Sequence, residues 1–382
     1  MGDRVLILAV TVGESLTFLR GQARHLKEKG YSPVFISNPD LQSEAFVQSE
    51  KVNFIGINME RNPSILKDAV SFFKILMLII RLRPVLVNAG TPKAGFLFML
   101  AAWLLRVPVR IYTLHGFRHW SLVGARKVFQ VLVEKFACYC STNTFCVSQS
   151  VKEEALRIGV DISKLEILGE GSCGIELSKF KRSQFLVEGQ ALRDALQIDT
   201  SDFVVGFAGR LIERKGIDEI VQSFMRFRQG LPQAKLLLVG GIDETQPLDP
   251  SLLNVIAENP DVIWVGWKAD LGKYMAAMDV FFMPSHWEGF GNVLIEAASM
   301  ELPVISSDAP GTRDAVSHGF NGVIHPIGDV HGFTSAITEY YEDKELRLRH
   351  GRNGPRWARK FGRDEYNIAL LRKYEKFLAK IR

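Results

Sequence analysis

Cysteine is scarce in this chain: Cys138, Cys140, Cys146 and Cys173 are the only thiols in 382 residues, and none forms a Cys-x-x-Cys pair. That scarcity argues against a disulfide scaffold and against zinc held by paired thiols. Three of the four fall in one apolar stretch that reads as helix into strand, so buried thiols in a reducing compartment are expected. No uninterrupted apolar run reaches the roughly 18 residues that a spanning helix needs. The opening run Val5–Val12 is short and lacks a small-residue cleavage region, so it reads as a first strand rather than a secretory signal. There is no low-complexity tract, no repeat at a period of about 20–50 residues and no Walker A loop. The net charge of +5 and pI near 8.9 tolerate anionic partners without demanding nucleic acid. No nucleic-acid-binding module is visible, and the aromatics do not interleave with a basic run.

What is present is a long alternation of strand and helix. The length exceeds a single core, so two domains are expected. In the first half, strands read at 5–10, 33–37, 53–57, 85–88, 110–114, 144–147 and 165–168. In the second they read at 203–208, 235–239, 262–265, 280–283 and 303–306. Intervening helices imply two parallel sheets covered on both faces, an α/β chain of two Rossmann-like doubly wound domains. The polar stretch 176–202 carries no strand and separates residues 1–175 from 176–362. Residues 363–382 form a basic amphipathic helix with Tyr366, Leu370, Leu371, Tyr374, Phe377 and Leu378 on its apolar side. Residues 69–105 are unusually apolar; core helices account for most of them. Outward faces between Lys74, Arg81, Arg83 and Arg106 suit an anionic membrane surface, reached peripherally from the cytoplasm.

Two loops concentrate the chemistry. In His286-Trp287-Glu288-Gly289-Phe290-Gly291-Asn292-Val293-Leu294-Ile295-Glu296-Ala297, a carboxylate leaves a buried strand and a second lies about one turn inside the following helix. Gly289 and Gly291 allow close backbone approach, and the helix start offers unpaired N–H groups from Phe290, Gly291, Asn292 and Val293 to an anion. In Gly206-Phe207-Ala208-Gly209-Arg210-Leu211-Ile212-Glu213-Arg214-Lys215-Gly216, three cations and three glycines lie between a strand and a helix whose apolar face is Ile217, Ile220, Val221, Phe224 and Phe227. Guanidinium and ammonium groups there suit a diphosphate. Carboxylates for hydroxyls and cations for phosphates together fit a nucleotide sugar.

Gly-x-x-Gly-Arg-Leu-x-x-x-Lys-Gly followed by Pro-Ser-x-x-Glu-Gly-Phe-Gly-x-x-x-x-Glu-Ala resembles the family-four retaining glycosyltransferases of GT-B fold. Val239-Gly240-Gly241, Val265-Gly266-Trp267 and Pro303–Gly311 match as well, and Tyr112-Thr113-Leu114-His115-Gly116 is similar to the acceptor-side His-Gly loop. His115–Trp120 with Gly169-Glu170-Gly171-Ser172 is most similar to bacterial capsular and exopolysaccharide transferases. The resemblance implies two domains facing across a cleft, with the last helix crossing back onto the first. It implies a nucleoside-diphosphate sugar, here a UDP-sugar, as donor, and a lipid-linked saccharide as acceptor. The sugar moved would be a hexose or an N-acetylhexosamine. Arg210 and Lys215 would hold the diphosphate, with Gly209 beside them. Glu288 would take the transferred sugar's hydroxyls and Glu296 the ribose hydroxyls. His115 would touch the donor sugar, and Trp267 with Gly241 would border the base.

Departures from the pattern matter too. The loop after the first strand, Thr11-Val12-Gly13-Glu14, keeps only Gly13 of the family's glycine pair, so its phosphate or acceptor contact is less secure and Glu14 is expected to face acceptor or solvent. Asp-x-Asp is absent; no metal site or cofactor is expected, and Arg210 and Lys215 take the metal's part. Gly169-Glu170-Gly171-Ser172-Cys173-Gly174 matches a dinucleotide fingerprint, but no amphipathic helix opens from it and no acidic strand end follows. Two alternatives share these residues: a nucleotide-sugar epimerase of the same fold, and a catalytically silent sugar-nucleotide-binding scaffold.

Overall fold

The computed structural model describes residues 4–60, 64–229, 231, 233–243 and 245–380. Positions 1–3 and the final two positions of the expected tail helix lie outside the described residues. The chain divides into two compact units, residues 1–174 with 363–382, and residues 175–362.

The first unit holds a seven-stranded sheet in the order β3-β2-β1-β4-β5-β6-β7. Its strands are β1 (Arg4–Ala9), β2 (Tyr31–Ser37), β3 (Asn53–Gly56), β4 (Leu86–Gly90), β5 (Val109–Leu114), β6 (Asn143–Cys146) and β7 (Leu165–Ile167). Every pairing is parallel. The central strands are largely apolar because helices cover both faces, with Asn88 and Thr113 as buried polar positions. Under one face, Leu6, Leu8, Phe35 and Ile111 meet Tyr366, Leu370, Tyr374 and Phe377 of the last helix, Arg363–Ala379. That helix therefore belongs to the core of the first domain although it follows the second in sequence. Asn88 donates a hydrogen bond to the Tyr374 hydroxyl at 2.6 Å, fixing the helix to the middle of the sheet.

The second unit repeats the plan with six parallel strands in the order β10-β9-β8-β11-β12-β13. They are β8 (Phe203–Ala208), β9 (Ala234–Val239), β10 (Val262–Trp264), β11 (Val280–Met283), β12 (Val304–Ser307) and β13 (Gly322–His325). The strand order of both sheets reverses beside the first strand, between β1 and β4 and between β8 and β11. Connections leaving these neighbouring strands diverge to opposite faces, which opens a crevice at their carboxyl ends.

Three elements depart from the sequence expectation. Edge strand β13 was not anticipated: three of its four residues are only partly buried, so it lacks the continuous apolar signature of its neighbours. The stretch 176–202, already assigned to the second domain, contains a helix that was not anticipated, Leu186–Ala195, packed against the short helix Gly272–Ala276 of the same unit. The apolar segment 69–105 splits into two different helices. Pro92–Leu104 is largely buried, whereas Ile65–Leu82 buries only Ser71, Ile75 and Ile79 among its residues.

Tyr374→Ala should lower the denaturant midpoint of first-domain unfolding, costing about 3–5 kcal/mol as for other large buried aromatics. Tyr374→Phe, which removes only the hydroxyl that Asn88 binds, should cost about 1 kcal/mol. Tryptophan fluorescence during urea titration measures both.

Candidate functional site

The two loops singled out in sequence leave β8 and β11, which are adjacent: Val205 lies opposite Val280, and Gly206 opposite Phe281. They therefore emerge side by side at the crevice of the second sheet. Gly216 closes the first loop with φ of +72°, a conformation that disfavours any side chain, and a Cβ there would lie 2.5 Å from the Pro284 carbonyl oxygen. Glycine lets the two backbones touch.

That contact brings Lys215 onto Glu288. The Lys215 ammonium donates to Glu288 Oε1 at 2.5 Å. Arg214 Nη1 reaches the same oxygen at 3.2 Å and the Trp287 carbonyl at 3.1 Å. The Glu288 side chain is only 14 % exposed. Burial pushes its carboxyl up, but Lys215 and Arg214 outweigh that and hold it below its ordinary range. The carboxylate is thus kept ionised. An ammonium has three protons to donate, so Lys215 retains donors for an incoming anion without releasing Glu288.

Arg210 is placed differently from Lys215. It is 45 % exposed and donates to Asp243 Oδ2 at 2.6 Å. Asp243 is itself fixed by the Thr245 N–H and hydroxyl, at 3.0 and 2.6 Å to its other oxygen. Asp243 had no signal in the sequence, because it lies beyond β9 with no charge pattern around it. Arg214 was legible only as one of three loop cations.

Around these groups, Gly291 caps the helix Asn292–Ser299, which carries Val293 and Glu296. Glu296 and Asn292 already have partners inside the protein. The Phe290 ring is buried and lies 4.9 Å from Phe361, so its contribution to an anion is its backbone alone. Gly209 donates its N–H to the Val239 carbonyl. Trp264 donates from its indole to the Gly240 carbonyl at 2.8 Å. A Cβ at Gly241 would sit 3.6 Å from the Trp267 Cβ, and Trp267 is 72 % exposed, an open aromatic surface beside the glycine pair.

In the first unit, His115 stands at the carboxyl end of β5. Its ring stacks on Phe18 with centroids 4.3 Å apart, and Nδ1 lies 3.1 Å from the Cys173 sulfur. Gly90, at the end of β4, leaves room for the imidazole, since a Cβ there would come within 2.6 Å of Nε2. Burial pulls His115 down to about 4, so the ring is neutral near pH 7. Phe18 carried no site signal in the sequence, and Cys173 stood out only as part of the glycine-rich Gly169–Gly174 turn. Gly13 donates its N–H to Asp40 Oδ2 at 3.0 Å, so that amide is already occupied, while Glu14 is exposed. The Gly169–Gly174 turn opens no helix.

Two family profiles match: Glycosyl transferases group 1 over residues 189–357 and Glycosyltransferase Family 4 over residues 17–171. The chain is 31% identical over 356 residues to the capsular polysaccharide biosynthesis glycosyltransferase CapM of Staphylococcus aureus, covering 93% of this chain and 92% of that one. It is 27% identical over 292 residues to the UDP-Gal:alpha-D-GlcNAc-diphosphoundecaprenol alpha-1,3-galactosyltransferase of Escherichia coli, covering 75% and 74%. Among solved structures, HepE of Anabaena in complex with UDP and glucose superposes with a TM-score of 0.83 at 19% identity, over 98% of this chain and 100% of that one. Sucrose-phosphate synthase of Thermosynechococcus elongatus gives 0.78 at 19%, over 99% and 100%.

Lys215→Met should leave Glu288 buried without its main partner and destabilise the second domain by about 3–5 kcal/mol; adding Glu288→Gln should recover most of the loss. Because the Glu288 carboxyl is held below 4.5 in the folded protein, its stabilising contribution is present above pH 4.5 and is lost as pH falls through the folded value. Urea unfolding of the single and double variants between pH 3 and 7 checks both, about the range where carboxyls titrate.

Proposed function

The chain belongs to the group 1 and family-four glycosyltransferases, with the two-sheet GT-B plan, and we propose that it moves a sugar from a UDP-sugar to a lipid-linked saccharide during capsular or other surface polysaccharide biosynthesis. The Lys215–Glu288 pair at the crevice of the second sheet carries the reading. It sets a cation for the leaving diphosphate beside an ionised carboxylate for sugar hydroxyls, held together at 2.5 Å. The relatives' own activities supply the direction: one is named for capsular polysaccharide, another for a diphosphoundecaprenol acceptor.

In the proposed reaction, the bond between the sugar's anomeric carbon and the diphosphate oxygen breaks as the acceptor hydroxyl oxygen bonds to that carbon. The acceptor's proton passes to the departing phosphate oxygen. Because attack and departure share one face, configuration is retained. Lys215 and Arg210 stabilise the charge that grows on the diphosphate, with Arg214 close behind. Backbone N–H groups from Phe290 to Val293 add to it. Glu288 orients the transferred hexose or N-acetylhexosamine, Glu296 the ribose, and Trp267 with Gly241 borders the base. His115 is a neutral hydrogen-bonding group for substrate in the first domain. Three cations at one crevice supply the neutralisation that a metal provides elsewhere, so the reaction is proposed to need none.

We further propose that the first domain rests on an anionic membrane from the cytoplasmic side. No helix among the described residues is long and apolar enough to cross a bilayer. Helix Ile65–Leu82 exposes Phe73, Met77 and Ile80, and helix Gly124–Cys140 exposes Phe129, Leu132, Phe136 and Tyr139. Both pack on Pro92–Leu104, and Lys74, Arg81, Arg83 and Arg106 are exposed among them. Apolar side chains with basic neighbours are the composition of an interfacial surface.

Thermal shift and slow hydrolysis across a panel of nucleotide sugars identify the donor, since a tight ligand raises the melting temperature. Arg210→Ala and Lys215→Ala should each lower turnover by about 10²- to 10³-fold; near-native turnover in both would remove the diphosphate assignment. Activity should persist in excess EDTA, and complete loss restored by metal would overturn the metal-free reaction. Flotation with anionic vesicles should show binding at low salt that Phe73→Ser with Phe129→Ser weakens roughly tenfold or more. No flotation of the native protein at low salt would leave a soluble acceptor as the better reading.

A further inference from the structure

His286 and Glu219 lie behind the crevice of the second domain and have no part in the chemistry proposed above. Glu219 sits in the first turn of helix Ile217–Arg228, directly after Lys215 and Gly216. His286 sits two residues before Glu288. His286 Nε2 is 2.7 Å from Glu219 Oε1, with side chains only 27% and 15% exposed. The His286 backbone N–H donates to the Arg214 carbonyl at 2.8 Å. Arg214 returns a bond to the Trp287 carbonyl at 3.1 Å. The loop after β8 and the loop after β11 are therefore stitched together by consecutive ties, and the imidazole–carboxylate contact is the one made by side chains with no role toward the anion.

We propose that Glu219 and His286 form a positioning clamp that holds Lys215 and Glu288 in register for the transfer step. The inference rests on the donor-site reading above. The physical reason is distance control. Lys215 is a flexible side chain, and a displacement of about 1 Å at a reacting group can cost about a hundredfold in rate. The backbone tie from His286 to Arg214, the Arg214 guanidinium on the Trp287 carbonyl and the Lys215–Glu288 pair fix the loops near the anion side. The His286–Glu219 contact adds a second anchor, on the start of the helix, so that the loop cannot pivot about the first. The pair is charge-assisted. The hydrogen bond to Glu219 raises the imidazole above its ordinary value, with a smaller push from Glu213. Glu219 itself, although burial pushes it up, is held below the ordinary carboxylate range by His286. Facing the imidazole are thus Glu219 and Glu213, with the Arg214 carbonyl on its backbone side. A group raised in this way contributes fully below pH 6.5 and loses that contribution as pH rises through its folded value. The clamp is consequently tight below pH 6.5 and slackens as pH rises through the folded value of His286.

The test compares Glu219→Ala, Glu219→Gln, His286→Ala and the double alanine variant in the full chain. Readouts are kcat and KM for donor turnover, UDP affinity by calorimetry, and melting temperature. Each alanine change should lower kcat by about ten- to a hundredfold while KM and UDP affinity move less than threefold, orders of magnitude typical of lost positioning. The double variant should be no worse than the worse single, and Glu219→Gln should keep part of the rate by preserving a hydrogen bond. The limb of the kcat pH profile that follows His286 should shift to lower pH in Glu219→Ala, a change that plain loss of stability does not produce. Unchanged kcat in both alanine variants, or additive losses in the double variant, would overturn the clamp, as would equal losses in kcat that follow melting temperature with no shift of the limb. A native protein that neither binds UDP nor turns over any donor would remove the donor-site reading and the clamp together. A native protein that does both, with variants unchanged, would remove the clamp alone.

Discussion

Glu288 is a carboxylate in a place that would neutralise it were it alone, and the second domain is arranged around keeping it charged. Transfer of an isolated anion to so enclosed a position is costly, and the cost is offset only by close, well-directed cations. Lys215 and Arg214 meet that demand because β8 and β11 are neighbours and because Gly216 lets one loop lie against Pro284 of the other. A larger residue at Gly216 would part the loops, and the carboxylate would be stranded. Fold topology and site electrostatics are thus one constraint: the reversal of strand order supplies the crevice, and the ion pair requires it.

The same strand order in the first domain produces a different environment. There the loops after β1, β4 and β5 are tied by neutral contacts. Thr11 donates its N–H to the Thr91 hydroxyl at 3.0 Å, and His115 is held between Phe18 and Cys173 without a charged neighbour. Burial with no compensating carboxylate is what keeps the imidazole neutral. One half of the molecule holds a dense set of charges at its strand ends and the other an enclosed, uncharged imidazole.

Much of this was legible in the sequence, for identifiable reasons. Strands buried on both faces announce themselves as continuous apolar runs, as Phe203–Ala208 and Val280–Met283 do. The helix after the basic loop shows its buried face at 3.6-residue spacing, and Ile217, Ile220, Val221, Phe224 and Phe227 are all buried. Glycines beside charged residues at strand ends marked both loops of the proposed donor site. Edge elements were harder: β13 is half-exposed, and Leu186–Ala195 buries only Gly189. Partnerships across sequence were harder still. Asp243 meets Arg210, and Glu219 meets His286, only because separate loops converge, and no local pattern encodes such a meeting. Helix Ile65–Leu82 was apolar enough to look like core; it packs chiefly on Pro92–Leu104, and much of its surface stays exposed.

The position of the last helix bears on how the polypeptide acquires its structure while it is being made. Tyr366, Leu370, Tyr374 and Phe377 complete the packing under the first sheet, yet they emerge from the ribosome only after all of residues 175–362. The second domain, an uninterrupted segment, has every residue of its core available before the first does. Synthesis from the N-terminus therefore completes the chain of the second domain before that of the first. Until that helix is made, the face that receives Tyr374 lacks its cover and the Asn88 amide its phenol partner.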